Sequence, residues 1–264
     1  MKLTVVTPSY NHAHFIERTI DSVLGQGYPE LEYIVVDGGS TDGTVDILKR
    51  YGDHLIWSSE PDRGQSDAIN KGLRRATGTV VAFLNSDDTY APGALHRVGE
   101  FFEAHPGLMW AYGKCRIIDE HDREIRRPIT WYKNALLRNY SFRKLLAENF
   151  ISQPSTFWRR VLHDEIGYLN EDEHYVMDYE FWLRVGERYR AGVIDAYLAN
   201  FRMYEASKSG SLQNPQFADE LRVAKAFAGG ARLPIYLHHF NHYKIVTVYR
   251  AMAAARRRRL ASGR

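Results

Sequence analysis

Short apolar runs alternate with helix-like segments along the first hundred residues, and this alternation constrains the fold more than any other feature. The apolar runs, which predict strands, are Leu3 to Thr7, Leu31 to Val36, Leu55 to Trp57 and Val80 to Leu84. Between them, apolar residues recur at helical spacing, as in Phe15, Ile16, Thr19, Ile20, Val23 and Leu24. Strands and helices in turn form βαβ units. The sequence therefore predicts an α/β fold, with a mostly parallel sheet and helices on both of its faces.

Each of the four predicted strands is followed by polar, acidic or turn-forming residues. In chain order these segments are TPSYN from Thr7, DGGS from Asp37, EPDRG from Glu60 and NSDD from Asn85. Ligands of such sheets bind beyond the carboxyl ends of the strands. Because four polar ends converge on one rim, the sequence predicts a ligand site there.

Two adjacent carboxylates, Asp87 and Asp88, follow the fourth apolar run. Neighbouring carboxylates without a partner repel each other, and hard divalent cations prefer carboxylate oxygen. A cation held by only two carboxylates keeps open positions, which phosphate commonly fills. The pair thus predicts Mn²⁺ or Mg²⁺ as cofactor and a diphosphate-bearing substrate. The alternative is a solvated turn after a strand.

Four further residues are candidates for binding or catalysis. Asp37 precedes two glycines, where backbone can approach a ligand closely, and could accept hydrogen bonds from a base or ribose; it could instead cap a helix. Arg63 could pair with phosphate. Asp67 begins a helix, a place that also favours a carboxylate for structural reasons. Asp178 lies among aromatic residues, which raise the proton affinity of a carboxylate and suit a general base, although an N-cap role is equally open.

Composition narrows the class of protein. The 264 residues are 44% hydrophobic and 25% charged, as in a globular protein, and are enough for one large α/β domain or for a domain with an appendage. The single cysteine, Cys115, excludes an internal disulfide and favours a reducing compartment. The net charge is +3, but residues 250–264 hold six arginines and no acid, so the other 249 residues sum to −3. A mildly acidic body argues against a nucleic-acid partner. Without a signal-peptide pattern or an apolar run near ~18 residues, a cytoplasmic location is expected.

The second half of the chain is less regular. Its predicted elements are a strand from Met109 to Ile118, a returning strand before Pro128, helices over 133–150, 159–166 and Tyr179 to Tyr189, a Ser/Gly loop over 203–214 that could act as a lid, and a helix from Pro215 to Ala228. The expected organisation is a catalytic domain of residues 1–214 and a helical C-terminal extension of residues 215–264.

Residues 234–264 combine aromatic and aliphatic side chains with a basic cluster, Arg256 to Arg259. This combination suits a peripheral contact with anionic lipid at the inner face of the cytoplasmic membrane. The alternative is a helix that packs on the domain and ends in a solvated basic segment.

The order of these segments resembles the family 2 inverting glycosyltransferases, which have the glycosyltransferase-A fold, and in particular the small bacterial members that build surface polysaccharides. The matching segments are TPSYN from Thr7, VVDGGSTDGT from Val35, SEPDRGQSDAINKG from Ser59, FLNSDD from Phe83, ISQPSTFWRR from Ile151, MDYEFWLR from Met177 and FRMYEASKSG from Phe201. They lie within residues 3–212. Each segment alone is weak, but seven in order make chance agreement improbable.

The resemblance implies roles on the donor side. Asp37 would read the base, usually uracil, and Asp88, with Asp87, would bind the cation. Asn85 stands where the motif usually has its first Asp, which leaves fewer charges for the ion. Tyr204 stands where members often have a His that can contact the metal, so this loop is not expected to supply a ligand. The residues that would hold the nucleotide are Thr7, Pro8, Ser9, Tyr10, Asp37, Arg63, Asp67 and Asp87.

The resemblance also implies the reaction. Asp178 would take the proton from an acceptor hydroxyl as that oxygen attacks the anomeric carbon, and one displacement would invert the configuration. Gln153, Pro154 and Trp182 would lie on the acceptor side. The expected substrates are a nucleotide sugar, with UDP-sugars as the default, and a glycan or lipid-linked acceptor. The alternatives are a nucleotidyltransferase, although no basic Gly-rich loop follows the first strand, and a non-catalytic nucleotide-sugar-binding protein.

Overall fold

The computed structural model describes residues 1–205, 207, 216–244 and 247. It confirms the α/β fold: an eight-stranded sheet has the order β3-β2-β1-β4-β7-β6-β8-β5. The strands are β1 (Leu3–Ser9), β2 (Leu31–Asp37), β3 (Ile56–Ser59), β4 (Val80–Phe83), β5 (Thr89–Tyr90), β6 (Trp110–Ile118), β7 (Thr156–Arg159) and β8 (Gly192–Arg202). The helices are α1 (Ile16–Leu24), α2 (Thr44–Arg50), α3 (Gln65–Arg75), α4 (Ala94–Ala104), α5 (Arg127–Leu137), α6 (Phe142–Ala147), α7 (Leu162–Ile166), α8 (Met177–Arg188), α9 (Gln216–Phe227) and α10 (232–244).

Two hydrophobic cores lie on opposite faces of the sheet. Successive residues of a strand point to opposite faces, so Val5 and Val35 enter the core with α1, α2 and α4. Val6 and Ile34 enter the other core, with α3, α6 and α8. Burial on both faces explains the continuous apolar runs within β1, β2 and β4, in which apolar residues do not alternate with polar ones.

The parallel register of the first three strands aligns their carboxyl ends. Ser9 at the end of β1 pairs with Asp37 at the end of β2, and Asp37 pairs with Ser59 at the end of β3. On the other side of β1, Val6 pairs with Phe83, the last residue of β4. The polar segments that follow these strands therefore meet at one rim of the sheet.

Two strands in the second half were not predicted from the sequence. β7 pairs antiparallel with both β4 and β6. It is only four residues long, which is too short to show a clear hydrophobic pattern in the sequence. β8 pairs in parallel with β6, but its register shifts around Lys114. The shift interrupts the alternation of buried and exposed residues that would have marked β8 as a strand.

The predicted returning strand before Pro128 is wrong. A single antiparallel bridge joins Ile118 to Glu124, and α5 begins at Arg127. Pro128 lies in the first turn of α5, where its missing N–H costs nothing and its fixed φ suits a helix.

The helices predicted over 133–150 and 159–166 differ in their limits. The first is two helices, because the Ser141 hydroxyl accepts a hydrogen bond from Lys144 N (3.2 Å) and starts α6 anew. In the second region, β7 ends at Arg159 and α7 begins at Leu162. The helix predicted from Tyr179 to Tyr189 is present as α8 and begins two residues earlier.

The C-terminal helices pack on the rest of the molecule, since α9 contacts α6 and α8. The proposed boundary between residues 214 and 215, most of the 203–214 loop and the basic tail lie outside the described residues, so the division into two domains stays a prediction. Within the part of the chain that the structure describes, no helix combines the length and apolarity needed to cross a bilayer.

Candidate active site

Asp87 and Asp88 lie just beyond β4, at the rim where the polar segments meet. Asp88 is fully buried and Asp87 is half-buried. Burial and the charge of Asp87 raise the pKa of Asp88 well above its usual value, and burial also raises the pKa of Asp87. The protein thus holds two carboxylates whose negative charge is incompletely balanced, an arrangement that favours a cation.

Arg202, the last residue of β8, holds this acidic pair in place. Its backbone N–H donates to Asp88 Oδ1 (2.7 Å), and its Nε donates to the Asp87 carbonyl (2.6 Å). The buried guanidinium also donates to the Asp119 carbonyl (2.7 Å) and to Asp122 Oδ1 (2.5 Å). One side chain therefore ties the acidic pair to the turn after β6.

Asn85, at the first position of the acidic motif, forms hydrogen bonds with three neighbouring side chains of the site. Its Nδ2 donates to Asp88 Oδ2 (3.4 Å) and to Gln153 Oε1 (3.3 Å), while its Oδ1 accepts from Gln65 Nε2 (2.7 Å). An amide can donate toward Asp88, whereas a third carboxylate would repel it. Gln153 in turn donates from Nε2 to the Phe83 carbonyl (2.6 Å), which places it against the end of β4.

Tyr204 and His12 flank the acidic pair. Tyr204 Oη donates to Asp87 Oδ2 (3.2 Å), so the phenol at the expected His position faces the acidic pair. His12 Nδ1 lies 2.6 Å from Ser86 Oγ, and the charge of His12 partly offsets the effect of burial on the pKa of Asp87. His12 and Arg202 were not predicted as site residues, although His12 directly follows the TPSYN segment and Arg202 lies inside the FRMYEASKSG segment.

Asp37 is fully buried and organises the turn after β2. Its Oδ2 accepts from Gly39 N (3.1 Å), Ser40 N (2.9 Å) and Ser59 Oγ (2.6 Å), and its Oδ1 accepts from Ser40 Oγ (2.5 Å). A carboxylate has about four acceptor sites, and this one already receives four hydrogen bonds. Three of these bonds go to Oδ2 and one to Oδ1, so Oδ1 is the oxygen with an acceptor position left for a base.

The TPSY residues at the end of β1 divide into buried and exposed positions. Thr7 is fully buried, with its hydroxyl 3.0 Å from Tyr33 Oη, and Pro8 and Ser9 are buried as well. Tyr10 is 61% exposed. A Cβ at residue 38 would lie 3.3 Å from the Tyr10 ring, so the glycine there lets the ring lie against the next turn. Among these residues Tyr10 is therefore the one that offers a side chain to a ligand.

Arg63 and Asp67 contact each other at the start of α3. Asp67 Oδ2 accepts from Arg63 N (3.1 Å), and Asp67 Oδ1 accepts from the guanidinium (3.2 Å), which also pairs with Glu171 (2.6 Å). Burial opposes the ionisation of Asp67, but the contacts with Arg63 and Lys71 outweigh it and lower the pKa of Asp67. Arg63 is thus engaged by two acids, and a phosphate would have to compete with them.

Asp178 lies in the first turn of α8 and is half-buried. The N-cap residue of this helix is Val176, so the capping alternative for Asp178 does not apply. Burial raises the pKa of Asp178 to about 6, helped by the charge of Glu220 and opposed by a hydrogen bond from Tyr179 N (2.8 Å) and by the charge of Lys133. A carboxylate with this pKa can both accept and hold a proton near neutral pH.

Two features connect Asp178 with the acidic pair. Gln65, which donates to Asn85, is followed in α3 by Ser66, whose hydroxyl donates to Met177 Sδ (2.8 Å), next to Asp178. The wall of a cavity of about 60 Å³ also includes a residue that interacts electrostatically with each acid. The charge of Lys133 lowers the pKa of Asp178, and burial together with the charge of Asp88 raises the pKa of Cys115 to about 12. The cavity is lined by Cys115, Ile117, Ile129, Thr130, Lys133, Ser152, Phe201 and Met203.

The prediction that Trp182 lies on the acceptor side is wrong. Its ring is fully buried and stacks on Trp110, with centroids 5.7 Å apart, because α8 turns this residue into the core beneath the sheet. Pro154 and Gln153 are buried too, in the short turn before β7. Of the three, Gln153 stays near the rim through its contact with Asn85.

Two solved structures share this fold. Residues 1–349 of Staphylococcus aureus TarS, in complex with UDP-GlcNAc, superpose with a TM-score of 0.68 at 21% identity, over 87% of this chain and 67% of that one. A mannosyltransferase from Pyrobaculum calidifontis, in complex with GDP-Man and Mn²⁺, gives a TM-score of 0.65 at 22% identity, over 96% and 79% of the two chains. These likenesses show the glycosyltransferase-A fold.

Sequence relatives point the same way. The putative teichuronic acid biosynthesis glycosyltransferase TuaG of Bacillus subtilis (strain 168) is 45% identical over 104 residues, which is 38% of this chain and 41% of TuaG. The PGL/p-HBAD biosynthesis glycosyltransferase of Mycobacterium bovis (strain BCG / Pasteur 1173P2) is 30% identical over 194 residues, 69% of this chain and 68% of that protein. Two curated relatives, TuaG among them, are matched over only 41% of their own length. Residues 4–167 match the family described as "Glycosyl transferase family 2", and the chain belongs to that family.

Proposed function

We propose that the protein is an inverting glycosyltransferase that moves a sugar from a nucleotide-diphosphate sugar to a hydroxyl of a glycan or lipid-linked acceptor. The observation that carries this proposal is the presence of two adjacent carboxylates with incompletely balanced charge, Asp87 and Asp88, together with a third carboxylate, Asp178, whose pKa is raised to about 6. Membership of glycosyl transferase family 2 supports it. The names of the relatives, in teichuronic acid and PGL/p-HBAD biosynthesis, support a surface glycan or glycolipid as product.

The nucleotide would bind at the rim formed by the ends of β1, β2 and β3. The exposed ring of Tyr10 offers a stacking face for a base, and the turn that Asp37 organises offers polar groups beside it. A UDP-sugar is the favoured donor because UDP-GlcNAc is the ligand in the TarS complex, although the mannosyltransferase binds GDP-Man. Both nucleotide sugars therefore belong in the test.

Asp87 and Asp88 are the residues that would hold a divalent cation. They fit one, because their oxygens are the donors that Mn²⁺ and Mg²⁺ prefer and because burial raises the pKa of both. No group of three or more His, Cys, Asp or Glu residues suited to a metal occurs in the described part of the chain, so the remaining ligands would come from substrate or water. When bound, the ion would neutralise charge on the departing diphosphate.

Asp178 would act as the general base. As the acceptor hydroxyl attacks the anomeric carbon, its proton would pass to a carboxylate oxygen of Asp178, and the bond to the diphosphate would break on the opposite face. Lys133 and Glu220 act on Asp178 with opposite signs, so together they adjust its proton affinity. Arg202 and Tyr204 would keep the acidic pair in position during turnover.

The test is nucleoside-diphosphate release from UDP-GlcNAc and GDP-Man, with and without Mn²⁺. Asp178→Asn should lower turnover roughly 100-fold or more while nucleotide binding is retained, since it removes the base and keeps the shape. Asp164→Asn, which changes an exposed acid on α7, is the matched control and should leave turnover unchanged. Full turnover by Asp178→Asn would contradict the proposal, and pyrophosphate release from nucleoside triphosphates would favour a nucleotidyltransferase instead.

A further inference from the structure

Five large apolar side chains are exposed along one face of α10. They make up half of the ten exposed large hydrophobic residues found in the described part of the chain, and all five lie within the described stretch 232–244 of this helix. Their spacing of three and four residues places them in a single row. This row, called here the α10 stripe, consists of Leu233 (68% exposed), Tyr236 (68%), Leu237 (43%), Phe240 (66%) and Tyr243 (72%).

The opposite face of α10 is fixed to the domain. His238 is buried, with Nδ1 2.8 Å from the Leu146 carbonyl, and Asn241 Nδ2 donates to the Ala147 carbonyl (3.2 Å). Lys244, seven residues after Leu237 and therefore beside the stripe, donates from Nζ to Tyr132 Oη (2.6 Å) on α5. These polar contacts hold α10 on α5 and α6, so the outward direction of the apolar stripe is set by the packing of the helix on the rest of the molecule. An apolar row of this size, bordered by polar residues, is typical of an interaction surface.

The charge of the following segment indicates what binds the stripe. Residues 250–264 contain six arginines and no acid. A symmetric pair of chains would bring together two copies of this segment, which has no acid to balance the arginines of its partner. A surface of anionic lipid instead attracts arginine, while tyrosine, phenylalanine and leucine side chains enter the boundary between headgroups and acyl chains.

The helix that carries the stripe lies next to the start of α8, which carries the proposed base. The ring of His238, on the docked face of α10, is 6.4 Å from the ring of Tyr179, the residue after Asp178. α10 is therefore one layer of side chains away from the start of α8. A bilayer that contacts the stripe would bring lipid headgroups to the side of the molecule that carries Asp178.

We propose that the α10 stripe binds the surface of an anionic lipid bilayer, and that the acceptor is consequently a lipid-linked hydroxyl presented at that surface. The first part stands on the exposed stripe alone, and the second rests on the proposed function. The stripe would supply the apolar part of the binding, and the six arginines that follow it in the sequence favour anionic over neutral lipid, so binding would need both anionic lipid and an intact stripe.

The experiment is sedimentation of the full chain with vesicles of phosphatidylcholine alone or mixed with phosphatidylglycerol, without nucleotide. The wild type should bind the mixed vesicles, and Tyr236→Ser/Phe240→Ser should bind them roughly tenfold or more weakly, because two inserted aromatic rings are lost. Ile56→Ser/Val161→Ser removes two exposed apolar residues elsewhere and should bind like the wild type. Circular dichroism melting of both variants checks that they are folded.

Three results would overturn the proposal. The wild type could fail to bind the mixed vesicles, or the stripe variant could bind as well as the wild type, which would assign binding to the basic segment alone. A wild-type dimer that dissociates in the stripe variant would assign the stripe to a second copy of the chain. Release of UDP from UDP-GlcNAc in solution should be unchanged in the stripe variant, so a failure of membrane binding is distinguishable from a failure of the proposed function.

Discussion

At the scale of single residues, the site depends on charges that the fold holds away from water. Asp88 is fully buried beside Asp87. Arg202, which is also buried, donates its backbone N–H to the Asp88 carboxylate and its side-chain Nε to the Asp87 carbonyl. Arg202 also has its guanidinium 5.0 Å from the Phe15 ring centre, a contact that fixes its plane. This arrangement keeps the acidic pair rigid but leaves its charge only partly balanced, as a cation site requires.

Arg202→Met should lower the free energy of unfolding by roughly 3 kcal/mol or more, because it leaves buried acceptors and charges without their partner. Arg202→Lys should lose less, since it keeps the charge. Arg18→Met is the matched control: Arg18 contacts the same acid, Asp122, at 3.0 Å but from an exposed position, and its loss should cost under ~1 kcal/mol. Urea unfolding measures all three, and equal losses for Arg202→Met and Arg18→Met would contradict this reading.

The raised pKa of Asp178 predicts the pH dependence of turnover. A general base acts only when it is deprotonated, so kcat/KM should rise with pH through about 6, the pKa of Asp178 in the folded protein. Glu220→Gln removes a nearby negative charge that raises the pKa of Asp178, so in this variant the rise should occur at lower pH. pH–rate profiles of the two proteins measure the shift. A rise at the same or higher pH in Glu220→Gln would exclude this electrostatic link.

At the scale of elements, the site is assembled from the ends of strands and the starts of helices. β4 leads into the acidic pair, β8 ends in Arg202, and α3 carries Gln65 and Asp67 to the same rim. The position of α3 depends on its close approach to β1, where a Cβ at Gly72 would lie 2.3 Å from Val6 Cγ1. The glycine is thus a contact point between the helix and the sheet.

Gly72→Ala should destabilise the protein by about 1–3 kcal/mol, because the added methyl group overfills the space between α3 and β1. This loss exceeds the gain of up to ~1 kcal/mol expected from alanine in a helix. The double variant Gly72→Ala/Val6→Ala should recover part of the loss. Thermal melting measures these effects, and Gly107→Ala, with no atom within 4 Å of the new Cβ, is the control. A melting temperature for Gly72→Ala at or above that of the wild type would contradict this account of the α3–β1 packing.

At the scale of the whole molecule, the unliganded fold tolerates a repulsion that a ligand would relieve. The charges of Asp87 and Asp88 disfavour each other in the buried site, whereas binding of a cation and nucleotide to the folded state alone would stabilise it. The fold and the proposed ligands are therefore coupled through the same two carboxylates.

Asp88→Asn should raise the stability of the unliganded protein by about 1 kcal/mol, because it removes a buried charge and keeps the shape of the side chain. The same variant should lose most of the increase in melting temperature that Mn²⁺ with UDP gives the wild type. Thermal melting with and without Mn²⁺ and UDP measures both effects. Asp46→Asn, an exposed acid on α2, should change neither, and an equal ligand-induced increase in Asp88→Asn would exclude Asp88 from the cation site.

The sequence by itself determined the features that depend on neighbouring residues. The apolar runs and helical spacing of residues 3–104, the polar segments after each strand and the order of the family segments all follow from local patterns, and the fold and family that they predict are confirmed. Such patterns can be recognised in the sequence because the hydrophobic periodicity of a strand or helix, and the residue types that favour a turn, depend on residues only a few positions apart. They also predicted the acidic pair and Asp178 as site residues, whose roles stay predictions.

Only the tertiary structure decided which distant residues meet. Arg202 and Asp87 are 115 positions apart, and the burial of that arginine follows from the pairing of β8 with β6, whose shifted register hides its pattern. The core position of Trp182 and the outward face of α10 likewise depend on what each helix packs against. Long-range packing sets these directions, because a side chain on a helix can point to the core or to solvent with the same local backbone.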